Sequence, residues 1–133
     1  MRCLVVEDEF TSRRILQRLL SEYGECDIAV DGDEALDAYR LALENGEPYD
    51  LVSLDIMLPG TQGQEVLTAL REMEAQRGIG LGEGARVMMT TSLSDAKNVI
   101  RAFRNGCEAY LVKPVDKAKL LDVLGKLGFS IAA

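Results

Sequence analysis

The residues best suited to chemistry stand at the ends of short apolar runs. Glu7 and Asp8 follow Cys3-Leu4-Val5-Val6, and Asp55 closes Leu51-Val52-Ser53-Leu54. Thr90 and Thr91 close Val87-Met88-Met89, and Lys113-Pro114 follows Tyr110-Leu111-Val112. Three carboxylates brought together repel one another, and a hard divalent cation is the usual remedy. Mg²⁺ takes oxygen ligands and commonly joins one or two carboxylates to a phosphoryl group. An aspartate can act as a nucleophile and form an aspartyl phosphate. A hydroxyl and an ammonium would then donate to the phosphoryl oxygens. The set suits phosphoryl transfer onto Asp55. Any one of these acids alone would pass for a turn residue; the weight lies in their falling on successive strand ends.

For these groups to meet, the runs must be neighbouring parallel strands. The intervening stretches read as helices. Ile15, Leu16, Leu19, Leu20 and Tyr23 recur at helical spacing, with Thr11 or Ser12 as the cap. Ile28-Ala29-Val30 is a second strand closed by Asp31-Gly32, and Glu34 to Glu44 a second helix stopped by Asn45-Gly46. Val66, Leu67, Leu70 and Met73 mark a third helix, and Val99, Ile100 and Phe103 a fourth. Leu120, Leu121, Val123, Leu124 and Leu127 mark a fifth. Five βα repeats with apolar, non-alternating strands predict an α/β fold, a doubly wound parallel sheet covered on both faces. Ligands of such sheets bind outside the carboxyl ends of the strands.

At 133 residues the chain is one domain's worth, read here as a single domain over residues 1–133. It contains no histidine, which removes Ser-His-Asp and Cys-His catalysis and a phosphohistidine of its own. A net charge of −7 speaks against general nucleic-acid binding. Cys3, Cys26 and Cys107 are odd in number and far apart, so they predict buried thiols and neither a disulfide framework nor a zinc site. No apolar run is long enough to span a bilayer and the start does not read as a signal peptide, which predicts a cytoplasmic protein. The segment Gly80-Leu81-Gly82-Glu83-Gly84-Ala85 fits a dinucleotide-binding spelling but follows a helix and precedes a strand, the reverse of what that motif needs. It reads as a surface loop.

Taken together, Val5-Val6-Glu7-Asp8-Glu9, Asp55-Ile56-Met57-Leu58-Pro59-Gly60 followed by Gly63, Thr90-Thr91-Ser92, and Gly106 through Tyr110 to Lys113-Pro114 resemble the receiver domain of two-component response regulators. The resemblance runs over nearly the whole chain, in order. It implies a flavodoxin-like (βα)5 fold with a five-stranded parallel sheet in order 2-1-3-4-5. It implies Asp55 as the phosphoacceptor. Mg²⁺, with Mn²⁺ as an alternative, would be bound by Asp8, Asp55 and the Met57 backbone carbonyl, and by Glu7 directly or through water. Thr91 would be the switch hydroxyl, Lys113 the phosphoryl partner in a cis peptide with Pro114, and Tyr110 the aromatic that turns inward. Strand alternation sends Thr90 and Thr91 to opposite sides; the family register favours Thr91. The chain departs from the commonest pattern at Glu7, where Asp is frequent, at Ser92, where Ala or Gly is usual, and in a longer loop from Gly78 to Ala85.

The implied partner is a histidine kinase or histidine phosphotransfer protein, with output to a downstream protein through the fourth helix, fifth strand and fifth helix. From Leu93 onward seven basic residues outnumber four acids, which would suit an acidic partner. The chain reads as a stand-alone receiver, not an enzyme with its own turnover; a fragment of a longer regulator and a phosphorylation-independent binding module are the alternatives. A haloacid dehalogenase-type phosphatase would need a second Asp two residues after the first, where Met57 stands. Met57 and Leu93, both apolar, flank the expected path of attacking water and predict slow self-dephosphorylation.

Overall fold

A computed structural model of the chain describes residues 1–80, 82–92 and 96–130; of Ala96 only the backbone is described. Leu81 and Leu93, and the tail from Ile131, lie outside the described residues. The chain alternates β1 (Arg2–Val6), α1 (Phe10–Leu20), β2 (Glu25–Ala29), α2 (Gly32–Glu44) and β3 (Leu51–Asp55). It continues with α3 (Gly63–Gln76), β4 (Arg86–Thr91), α4 (Ala96–Arg104), β5 (Ala109–Val112) and α5 (Lys117–Lys126). All strand pairs are parallel, in order β2-β1-β3-β4-β5. The α/β fold class and strand order are those expected.

Alternation along the strands divides the core in two. Leu4, Val6, Val52, Leu54, Val87 and Met89 face α2, α3 and α4. Cys3, Val5, Leu51, Met88 and Leu111 face α1 and α5, packing on Leu16, Leu20, Leu120 and Leu124. Because β1, β3 and β4 are covered on both faces, their residues are nearly all buried and the sequence shows no polar alternation there.

Several local features differ from the sequence reading. α1 is capped by Glu9, whose carboxylate accepts from the Thr11 and Ser12 amides, and not by either hydroxyl residue. β2 begins at Glu25, ahead of Ile28, because it is an edge strand whose outer residues stay exposed. Asp31 is less a strand-closing turn than the N-cap of α2, accepting from the Glu34 amide. Among the described residues of α4 the buried side chain is the small Ala102, while Ile100 and Phe103 are exposed.

A polar network ties the lower loops. Buried Glu74 accepts from the Ala85 amide at 3.0 Å and from the Tyr39 hydroxyl. Arg71 pairs with Glu74 at 2.8 Å and with Glu108, and donates to the Ala85 and Gly106 carbonyls. The long loop after α3 is thus stitched to the start of β5, since a buried charge is tolerated only when paired and hydrogen-bonded.

Candidate functional site

The register fixes where the strand ends meet. Val6 lies opposite Leu54, Asp55 opposite Thr90, and Thr91 opposite Val112. Glu7 and Asp8 therefore leave β1 level with Asp55, and Lys113 leaves β5 just beyond Thr91, with its amide donating to the Thr91 carbonyl at 2.7 Å. Ligand oxygens of Glu7, Asp8 and Asp55 lie within 4.8 Å of one another, with Asp8 exposed and the other two buried. This donor set, three hard carboxylates converging on one rim, fits Mg²⁺.

Lys113 holds the buried pair together. Its Nζ is 2.8 Å from Glu7 Oε1 and 3.1 Å from Asp55 Oδ2. Burial pushes the Glu7 carboxyl up to about 7; Lys113 opposes that rise and Asp55 adds to it. Burial alone would lower the Lys113 ammonium, but the two carboxylates outweigh it and its pKa is raised. The Met57 amide donates to Asp55 Oδ1 at 3.0 Å, so the Met57 backbone lies beside the carboxylate while its side chain projects into solvent. The Lys113–Pro114 peptide is cis.

Thr90 and Thr91 stand on opposite faces, Thr90 on the side of Asp55 and the α1–α5 core, Thr91 one step further along at the rim. Both are buried. Tyr110 is 44% exposed and meets Phe103 edge-on at 6.2 Å between ring centres, so here it points outward.

Three further residues support the site, and of these only Gly63 belongs to the sequence motif. The Arg13 guanidinium donates to the Glu7 and Asp8 carbonyls, each at 3.2 Å, and steadies the acidic loop from α1. Gly63 lets the start of α3 touch the end of β3: a Cβ there would fall 2.2 Å from the Asp55 carbonyl oxygen. The buried Gln64 amide then links α3 to α4, donating to the Asn98 carbonyl at 2.8 Å and accepting from Asn105 at 3.2 Å. The fixed offset of Gly63 after Leu58-Pro59-Gly60 signals its contact with Asp55; Arg13 and Gln64 carry no such signal.

The response regulator receiver domain model matches residues 3–125. The chain belongs to this family. It is a receiver domain of the two-component systems. It is 37% identical over 132 residues to the sensory/regulatory protein RpfC of Xanthomonas campestris pv. campestris, covering 98% of this chain and 17% of RpfC. It is 35% identical over 122 residues to the probable transcriptional regulatory protein SilR of Salmonella typhimurium, covering 91% of this chain and 48% of SilR. The receiver thus spans less than half the length of these relatives. Among solved structures, the CheX-CheY-BeF3-Mg complex of Borrelia burgdorferi matches with a TM-score of 0.77 at 31% identity, covering 95% of this chain and 88% of that one. The Vibrio cholerae chemotaxis protein CheY4 matches with a TM-score of 0.77 at 25% identity, covering 95% and 97%. Receiver domains are phosphoacceptor signalling domains that bind Mg²⁺ at an acidic pocket and interact with histidine kinases and phosphotransfer proteins. Among the described residues, no helix is long and apolar enough to cross a membrane.

Proposed function

We propose that residues 1–133 act as a single receiver unit that accepts a phosphoryl group on Asp55 from a histidine kinase or histidine phosphotransfer protein. The observation that carries this reading is the placement of Asp55: nearly buried at the end of β3, beside two further carboxylates, with the Lys113 ammonium 3.1 Å from its Oδ2. An Asp55 oxygen attacks phosphorus as the donor's nitrogen–phosphorus bond breaks, and the donor imidazole leaves with the electron pair. Mg²⁺, when bound, supplies charge neutralisation of the phosphoryl oxygens. Asp8, Asp55 and the Met57 carbonyl would hold it. Glu7, fully buried and engaged by Lys113, would contribute through water. Lys113 turns from the Asp55 carboxylate to the new phosphoryl oxygens, and the Thr91 hydroxyl donates to them. The chain serves as phosphoacceptor and carries no separate substrate turnover.

Output runs by protein contact through the α4, β5 and α5 face. Ile100, Phe103 and Tyr110 are exposed there and support the reading. Phosphorylation shifts an existing equilibrium of Thr91 and Tyr110 towards the inward position of the ring. A second reading, a receiver segment of a longer regulator, is favoured by the small share of RpfC and SilR that the chain spans; immunoblotting of the native source for a longer product separates the two. The phosphoacceptor reading is tested by incubating the chain with acetyl phosphate and Mg²⁺. The intact mass rises by one phosphoryl group and Asp55→Asn abolishes the rise; an unchanged mass, or labelling that survives the substitution, overturns it.

A further inference from the structure

Beneath the acid pocket lie three buried oxygens without a protein partner: Glu7 Oε2, Ser53 Oγ and Thr90 Oγ1. All three are shielded from solvent, and buried polar atoms in folded proteins are nearly always satisfied, by protein or by ordered water. Strand alternation puts them on one face. Glu7 continues Cys3 and Val5, Ser53 follows Leu51, and Thr90 follows Met88, all on the α1–α5 side. Glu7 and Lys113 leave strands separated by β3 and β4, a span of about three strand spacings of 4.8 Å. Yet their head groups meet at 2.8 Å. Both side chains must therefore lie across β3 and β4 at the level of Asp55 and Thr90, with Ser53 two residues lower on the same face. Ser53 is also the smallest side chain in the row Val5–Ser53–Met88, which leaves room below the bridge.

We propose that one internal water occupies this site, hydrogen-bonded to Glu7 Oε2, Ser53 Oγ and Thr90 Oγ1. In the ionised form that Lys113 favours, Glu7 only accepts, so the water donates one hydrogen to Oε2 and accepts from the two hydroxyls, three partners within the two to four an internal water takes. A cation is disfavoured, because two neutral hydroxyls are a poor ligand set and the Lys113 ammonium already sits on the same carboxylate. The water pins one oxygen of Glu7 so that the other faces Lys113. Ser53 and Thr90 are thereby positioning residues, acting on Glu7 through the water, and Thr90 gains a use distinct from that of Thr91. The site does not depend on phosphorylation of Asp55.

A crystal structure of the whole chain, at a resolution that orders internal water, tests this. The wild type should show one water within hydrogen-bond distance of all three oxygens, retained in Thr90→Ser. Ser53→Ala with Thr90→Val should lose it and lengthen the Glu7–Lys113 contact. In solution, NMR should show a slowly exchanging Thr90 hydroxyl proton that cross-relaxes with water in the wild type, a readout that needs no variant to fold. No density at the site with both hydroxyls donating to backbone carbonyls, or a water unchanged in the double variant, overturns the proposal.

Discussion

Replacing Lys113 with methionine keeps the stem and removes the charge that bridges two buried carboxylates. Its attraction to Glu7 at 2.8 Å and to Asp55 at 3.1 Å is about 6 and about 5 kcal/mol at an effective dielectric constant of 20. Their sum is a ceiling, since the wild-type ammonium also gave up hydration to be there. Breaking a buried pair by removing one partner typically costs about 3–5 kcal/mol. With a urea m-value of about 1–3 kcal/mol/M, the midpoint should fall by roughly 2 M in EDTA. Saturating Mg²⁺ would take over much of the charge balance and, by binding only the folded chain, restore more than half the loss. The assay is urea unfolding followed by circular dichroism, with EDTA and with Mg²⁺. A loss below about 1 kcal/mol in EDTA, the range of an exposed pair, would refute the reasoning, as would an equal loss with and without Mg²⁺.

Further outcomes are expected elsewhere. Gly63→Ala should cost about 1–3 kcal/mol or more, because its Cβ would strike the Asp55 carbonyl, and should displace the Asp55 backbone in a crystal structure. Burial pushes Cys3 up to about 12 and Cys26 and Cys107 up to about 11, so their thiolates form only at higher pH. At pH 8 the Cys26 thiolate fraction should be about a hundredfold below that of an unperturbed thiol. A thiol reagent should therefore modify the native chain slowly and all three cysteines promptly in urea. Met57→Asn should speed loss of the phosphoryl group by up to about tenfold, equivalent to one hydrogen bond to the attacking water; decay at or below the wild-type rate would remove the argument from its apolar side chain.

The sequence revealed the βα alternation and the strand-end acids because both follow from short-range chemistry. Central strands must be apolar on both faces, and a residue at the end of such a run has only the rim to occupy. Features that depend on distant neighbours were hidden. The Glu9 cap and the polar edge strand β2 were misplaced because capping and strand rules rest on average preferences. Ile100 and Phe103 marked α4 correctly by spacing, yet the face they define is the exposed one, and Ala102 packs inward. The Arg71–Glu74–Glu108 network and the Gln64 bridge join residues more than thirty positions apart, which periodicity cannot register. The role proposed for Ser53 depends on a contact between Glu7 and Lys113, 106 positions apart, which no local pattern signals.

The central claim is that Asp55 takes the phosphoryl group within this carboxylate and lysine cluster. Transfer from a radiolabelled phosphohistidine domain, with peptide mapping of the product, tests it most directly. The account predicts label on the peptide carrying Asp55, formed with Mg²⁺ and suppressed in EDTA. Label on any other residue, or transfer indifferent to EDTA, would contradict it.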